Sequence, residues 1–176
     1  MRLAFEKANG QCVFSSEWDK YSQQTYTANF GETPHGDITQ IKERDIPKFE
    51  VLLAGFPCQP FSTIGKRQGF EHPTQGTLFH DVARIMRHHR NKAFLLENVA
   101  CHDRHDGGKT LAVIEETLTD LNYKYDYRVL DAADFGVPQH RSRIYIVGHK
   151  SRRGGRTDFD WPEGKKAHKG IGRHVQ

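Results

Sequence analysis

Short apolar runs alternate with stretches of helical period along this 176-residue chain, and that alternation restricts the fold more than any other feature. Strand and helix patterns that follow one another can all be buried only as a sheet covered by helices. The expected class is therefore α/β, with a mostly parallel sheet and helices on both faces. Val51-Leu52-Leu53-Ala54 is wholly apolar and bounded by Gly55 and Pro57, as expected of a strand buried on both faces. Ala93 to Leu96 is a second such run. Between them Leu78, Val82, Ile85 and Met86 recur on one helical face, predicting a helix that ends near Arg90. Leu111, Ile114, Leu118 and Leu121 predict another, closed near Asn122. Tyr125-Tyr127-Val129 and Ile144-Ile146 supply two further strands. Upstream, the pattern predicts a helix from about Arg2 to Asn9 stopped by Gly10, a strand over Gln11 to Ser16, and a helix from about Lys20 to Asn29.

The length suits one domain with a real core rather than two. No apolar run approaches the ~20 residues of a membrane span, and the charged N-terminal residues Arg2, Glu6 and Lys7 do not resemble an export signal. A soluble, cytoplasmic protein with no membrane partner is expected. Cys12, Cys58 and Cys101 are odd in number and unrelated in spacing, which argues for reduced thiols over a disulfide framework. Charge is uneven. From Lys150 to Gln176 there are eight Lys and Arg against three acids, whereas residues 1–149 are nearly neutral. The expected division is a domain over 1–149 and a basic tail over 150–176, which suits a phosphate backbone or is simply a solvated terminus.

In parallel sheets, ligands bind at the carboxyl edge of the strands. Polar residues cluster there at Glu17-Trp18-Asp19, at Gly55-Phe56-Pro57-Cys58-Gln59-Pro60-Phe61-Ser62 and at Glu97-Asn98-Val99, and a further cluster, Gln139-His140-Arg141-Ser142-Arg143, precedes the last strand. Cys58 lies between Pro57 and Pro60, whose fixed φ angles aim its sulfur at little further entropy cost. A lone cysteine is more often a small buried hydrophobe, but such a position needs neither flanking prolines nor polar neighbours at 59 and 62. Cys101-His102 with His105 lacks a second ligand pair, so no metal site is expected.

These residues resemble a known family. Gly55 to Ser62, Glu97-Asn98-Val99 and Gln139-x-Arg141-x-Arg143 look like three signature motifs of the DNA (cytosine-5) methyltransferases of bacterial type, in the family's order and spacing. The resemblance covers Arg2 to about Gly148 and implies a Rossmann-like, S-adenosyl-L-methionine-dependent methyltransferase fold. It implies methyl transfer to carbon 5 of cytosine in double-stranded DNA, within a restriction-modification or related DNA-marking system. Cys58 would add to carbon 6, since a thiol titrating at about 8.5 supplies some thiolate near neutrality and Arg141 or Arg143 would increase it. Glu97 would protonate ring nitrogen 3, and Arg141 and Arg143 would hold the base carbonyl and a phosphate. The target base must swing out of the duplex.

For the methyl donor the resemblance assigns Glu17 to the ribose, Trp18, Asp37 and Ile38 to the adenine, and Pro57 and Leu78 to the pocket walls. Each also has a plain structural reading: Asp37 as a turn residue, Leu78 as core. Family members begin with a strand and Gly-rich loop ahead of the first helix, and continue past the last strand into a target-recognition domain. The chain is accordingly expected to be a fragment, a subunit that takes these parts from a second polypeptide, or a remnant. The alternative functions are an inactive nucleic-acid-binding module and a tRNA cytosine-5 methyltransferase.

Overall fold

The computed structural model describes residues 1–57, 78–100 and 109–165. Among these residues four α-helices, α1 (Arg2–Lys7), α2 (Lys20–Phe30), α3 (Leu78–His89) and α4 (Lys109–Asp120), accompany five strands, β1 (Val51–Gly55), β2 (Ala93–Val99), β3 (Tyr123–Asp131), β4 (Ser142–Lys150) and β5 (Gly155–Arg156). The strands form one sheet in the order β1-β2-β4-β3-β5. β2 runs parallel to β1, β5 runs parallel to β3, and β4 is antiparallel to both of its neighbours. Four strands thus share one direction and β4 alone opposes them, in keeping with the mostly parallel sheet expected from the sequence.

Both α3 and α4 pack on the same face. The crossovers β1-α3-β2 and β2-α4-β3 step across the sheet in the same direction, and because such connections are right-handed they place their helices on one side. Beneath them lies the core: Phe79, Val82 and Met86 of α3, Ile114 and Leu118 of α4, and Phe94, Leu96, Tyr123, Tyr125, Ile144 and Ile146 of the sheet. Burying each such side chain contributes about 1.5–3 kcal/mol before entropy is deducted. Tyr123 and Asn91 satisfy each other within this core. The Tyr123 hydroxyl donates to the Asn91 carbonyl at 2.8 Å, and Asn91 Nδ2 donates to the Ala93 carbonyl at 2.7 Å. Phe94 meets Tyr123 edge to face at 5.4 Å and stands opposite Gly148, where an added Cβ would lie 2.5 Å from the ring's Cζ. Only a glycine leaves room for that ring.

Three local expectations are revised. β1 is not buried on both faces: it borders the sheet, and Val51 is 39% exposed. Gln11 to Ser16 forms no strand of the sheet, because an extended segment needs a ladder and this one makes only a parallel bridge from Ser16 to His35. The first helix ends at Lys7, and Asn9 rather than Gly10 takes the left-handed conformation, with φ 62°. α2 lies close to its expected range, with Asp19 accepting the Ser22 amide at 2.7 Å and Gly31 closing the helix at φ 72°.

Past Lys150 the chain keeps its contact with the sheet. β5 pairs with β3 at Lys124 and Tyr125, and Trp161 is buried with its Nε1 donating to Asp126 at 2.6 Å. Arg156 donates to the same carboxylate at 2.8 Å and lies over the Tyr127 ring. Among the described residues no helix is long and apolar enough to cross a membrane.

Candidate active site

Parallel pairing brings the carboxyl ends of β1 and β2 side by side, with Gly55 in register with Glu97. β4 enters beside the end of β2 in the opposite sense, pairing Tyr145 with Glu97 and Arg143 with Val99. Because side chains alternate across a pleated sheet, Gly55, Glu97, Arg143 and Tyr145 share the face turned away from α3 and α4. Arg143 and Glu97 meet on a diagonal there. Arg143 Nε lies 2.9 Å from Glu97 Oε1, with the two side chains 18% and 25% exposed, and Arg143 Nη1 donates to the Ser142 carbonyl at 2.8 Å. On the other side, a Cβ at Gly55 would stand 3.2 Å from Glu97 Oε2, and the Phe56 amide donates to the Glu97 carbonyl. The carboxylate is therefore held between a guanidinium and a bare stretch of backbone. A forked donor beside an acceptor is suited to clamping a planar, polar ligand that can hydrogen-bond with both.

Asn98, the next residue, faces the core and is 3% exposed. Its Oδ1 accepts the Val99 amide at 2.7 Å, while its buried Nδ2 finds no hydrogen-bond partner among the described residues. Cys58 and the rest of the cysteine loop lie outside the described residues, as do Cys101 and its neighbouring histidines. Pro57 is exposed just beyond β1, and Leu78 opens α3, packed against the core.

Asp131, which the sequence reading did not single out, organises the arginine cluster. Its carboxylate accepts from Ser142 Oγ at 2.6 Å, from the Ala133 amide at 2.9 Å and from the Arg141 amide at 3.2 Å. It thereby ties the approach to β4 to the end of β3. The Ser142 hydroxyl first, and the Ala133 amide next, hold the Asp131 carboxyl below its ordinary value of 3.8. An Asp directly before Ala132-Ala133 is a capping signal, and Asp131 does cap the 3-10 turn Ala132–Phe135. Arg141 itself is exposed, and only its backbone is fixed by Asp131.

Four of the six residues assigned to the methyl donor, Glu17, Trp18, Asp37 and Ile38, lie on the segments joined by the bridge between Ser16 and His35. The Glu17 amide donates to the His35 carbonyl at 2.8 Å, and the His35 amide donates to the Ser15 carbonyl at 2.8 Å. Glu17 and Trp18 are thus brought beside Asp37 and Ile38. Glu17 Oε1 accepts the Asp19 amide at 3.0 Å, and the Trp18 indole is 76% exposed. Asp37 caps the turn Ile38–Gln40 by accepting the Thr39 amide at 2.9 Å. Arg84 of α3, a second residue missed from sequence, anchors this segment: it donates to the Ile38 carbonyl at 2.6 Å and pairs with Glu43 and Asp81 at 2.9 and 2.8 Å. Only the i,i+3 spacing of Asp81 and Arg84 hinted at it.

An α/β sheet with one antiparallel strand and its polar groups at the carboxyl edge defines a Rossmann-like methyltransferase fold. The chain superposes on the Dnmt2 methyltransferase of S. pombe with a TM-score of 0.67 at 22% identity, covering 92% of this chain and 49% of that one. With a Spodoptera frugiperda DNMT2 mutant the TM-score is 0.69 at 20% identity, covering 94% and 53%. At the level of sequence, residues 1–174 match the C-5 cytosine-specific DNA methylase family, and the chain belongs to that family. It is 54% identical to the type II methyltransferase M.BsuFI of Bacillus subtilis over 169 residues, covering 96% of this chain and 41% of that protein. It is 51% identical to M.HhaI of Haemophilus parahaemolyticus over 146 residues, covering 83% and 44%. The chain spans about two-fifths of the length of these relatives.

Proposed function

We propose that this chain provides the catalytic core for transferring a methyl group from S-adenosylmethionine to carbon 5 of cytosine in double-stranded DNA, as part of a restriction-modification or related DNA-marking system. The observation that carries the reading is the Glu97–Arg143 pair, set against Gly55 at the carboxyl edge of β1 and β2. The match to the C-5 cytosine-specific DNA methylase family, with identity of about one half to type II methyltransferases, favours DNA as the substrate.

The residues assigned to the donor suit it chemically. The open indole face of Trp18 fits a purine, and the neighbouring Glu17 carboxylate fits a ribose diol. When bound, the donor supplies an electrophilic methyl group. The chain's own residues would then act on the base. Cys58 adds its sulfur to carbon 6 while Glu97 delivers a proton to ring nitrogen 3, which makes carbon 5 electron-rich. Arg143 keeps the Glu97 carboxyl in place and, with Arg141, offers donors to the base carbonyl and to the adjoining phosphate. Once carbon 5 is methylated it loses its proton, and the bond to sulfur breaks to release Cys58. Such chemistry requires the cytosine to be flipped out of the duplex. The outer edge of β1, unpaired among the described residues, suits a strand donated by a second polypeptide.

Trapping on a mixed-sequence duplex containing 5-fluorocytosine tests the reading, because fluorine cannot leave as a proton does. A denaturation-resistant adduct that requires both the donor and Cys58 is expected, with Cys58→Ser as control. If no adduct forms with the chain alone, nor with polypeptides supplying a Gly-rich donor loop and a target-recognition domain, the proposal fails.

A further inference from the structure

At the end of the sheet opposite the candidate active site, the last residues of α3, α4 and β4 border a hollow of about 300 Å³ lined by Arg87, Arg90, Lys150 and Arg152, with Asp120 as its one carboxylate among the described residues. We propose that this hollow is a second binding site, specific for a phosphate group, and separate from the catalytic edge. It lies beside the amino-terminal end of β2, where the Lys150 amide donates to the Lys92 carbonyl. Ala93 and Glu97 are separated by about 13 Å along the strand at the usual rise per residue, so the two sites occupy opposite ends of the same element.

Three observations support an anion as its natural occupant. First, four cations meet in a concavity with one acid, and such an arrangement concentrates positive potential far more than the same charges on a convex surface. Second, the most buried of them is held in place without a carboxylate among its contacts: Lys150 Nζ donates to the Leu121 carbonyl and lies 4.5 Å from the centre of the Tyr123 ring. Burial and, after it, the charge of Arg90 push the Lys150 ammonium below its ordinary value, so the like charges repel and an anion between them would relieve both effects. Third, the backbone is bent to form the rim. Arg90 (φ 50°) and Asn122 (φ 59°) both adopt the left-handed conformation, each just past the end of a helix, and the Ser151 amide is fixed on the Asn122 carbonyl at 2.9 Å. A tetrahedral oxyanion can accept from several forked donors at once, which a chloride ion cannot do to the same degree.

The phosphate can come from a nucleic-acid backbone that passes around the molecule or from a free or terminal phosphate group. Titrations of the ¹⁵N-labelled chain with inorganic phosphate and with a short oligothymidylate, at constant ionic strength, separate the two sources. Saturable shifts of the Asn122 and Ser151 amides are expected with at least one of them. A response to the oligonucleotide at lower concentration than to phosphate assigns the site to a backbone, and the reverse order assigns it to a free or terminal group. Arg152→Ala combined with Arg90→Asn, chosen because asparagine tolerates the left-handed conformation, should weaken that binding about tenfold or more while circular dichroism stays unchanged. Shifts that do not saturate, that sodium chloride reproduces at equal ionic strength, or that survive the double substitution overturn the proposal.

Discussion

Arg143 reaches diagonally from β4 to β2 and sets its Nε 2.9 Å from Glu97 Oε1, so the two strands that carry the second and third sequence motifs are joined by side chains of those motifs. Neither side chain is fully buried, and an ion pair so placed contributes modestly to folding. Its consequence is geometric: the guanidinium holds the carboxyl group in one orientation.

Glu97→Gln keeps the shape and removes the charge. Its effect should fall on chemistry, with methyl transfer down about a hundredfold or more. A double-substitution cycle of Glu97→Gln with Arg143→Gln, read by urea denaturation, should give a coupling energy of about 1 kcal/mol or less. A coupling several times larger would make the pair a folding element instead.

Gly55→Ala places a methyl carbon 3.2 Å from Glu97 Oε2, closer than a relaxed contact. The carboxylate must give way by a few tenths of an ångström, whereas the other neighbour, the Met1 Cε at 3.6 Å, is already in ordinary contact. Initial-rate assays should show methyl transfer reduced about tenfold, with little change in melting temperature. An unimpaired rate would mean that the carboxyl group does not act from this position.

Asp131 supplies the pH dependence of the arginine segment. Its folded-state value is depressed below 3.8, so its stabilising effect is fully present above that unfolded value and is lost as pH falls through the lower, folded one. Asp131→Asn should therefore be less stable than the parent chain at pH 6, and the two melting curves should converge in strong acid. Equal separation at both pH values would refute this role.

Trp161→Ala tests whether the segment past Lys150 belongs to the folded unit. The indole is buried and hydrogen-bonded to Asp126, so its loss should cost about 3 kcal/mol in denaturant unfolding. A loss near zero would show that β5 and Trp161 add nothing to cooperative folding.

The legibility of this chain depended on what kind of signal each element carries. Leu78, Val82, Ile85 and Met86 announced α3 because helical periodicity is a local property. The motif Glu97-Asn98-Val99 located half of the candidate site. What escaped the sequence was relational. Val51 to Gly55 is as apolar as a central strand, and only the strand order reveals that it borders the sheet. Gln11 to Ser16 has strand composition but finds a single bridge. Asp131 and Arg84 act on residues ten and forty-six positions away, at Arg141 and Ile38, distances that no local pattern records. Trp161 sits in a stretch whose charge suggests solvent, yet one buried ring and one carboxylate are enough to fasten it.

The gap over Gly148 has a bearing on all of this. β4 contains one glycine, and the Phe94 ring occupies the space where its side chain would have stood. Ring and gap work as key and notch. A slip of β2 against β4 by one residue would leave the ring no seat, and it would also turn Glu97 toward the helix-covered layer, away from Arg143. The alignment of a charged pair at one end of the strands is therefore policed by an aromatic ring near the other, on the opposite face of the sheet.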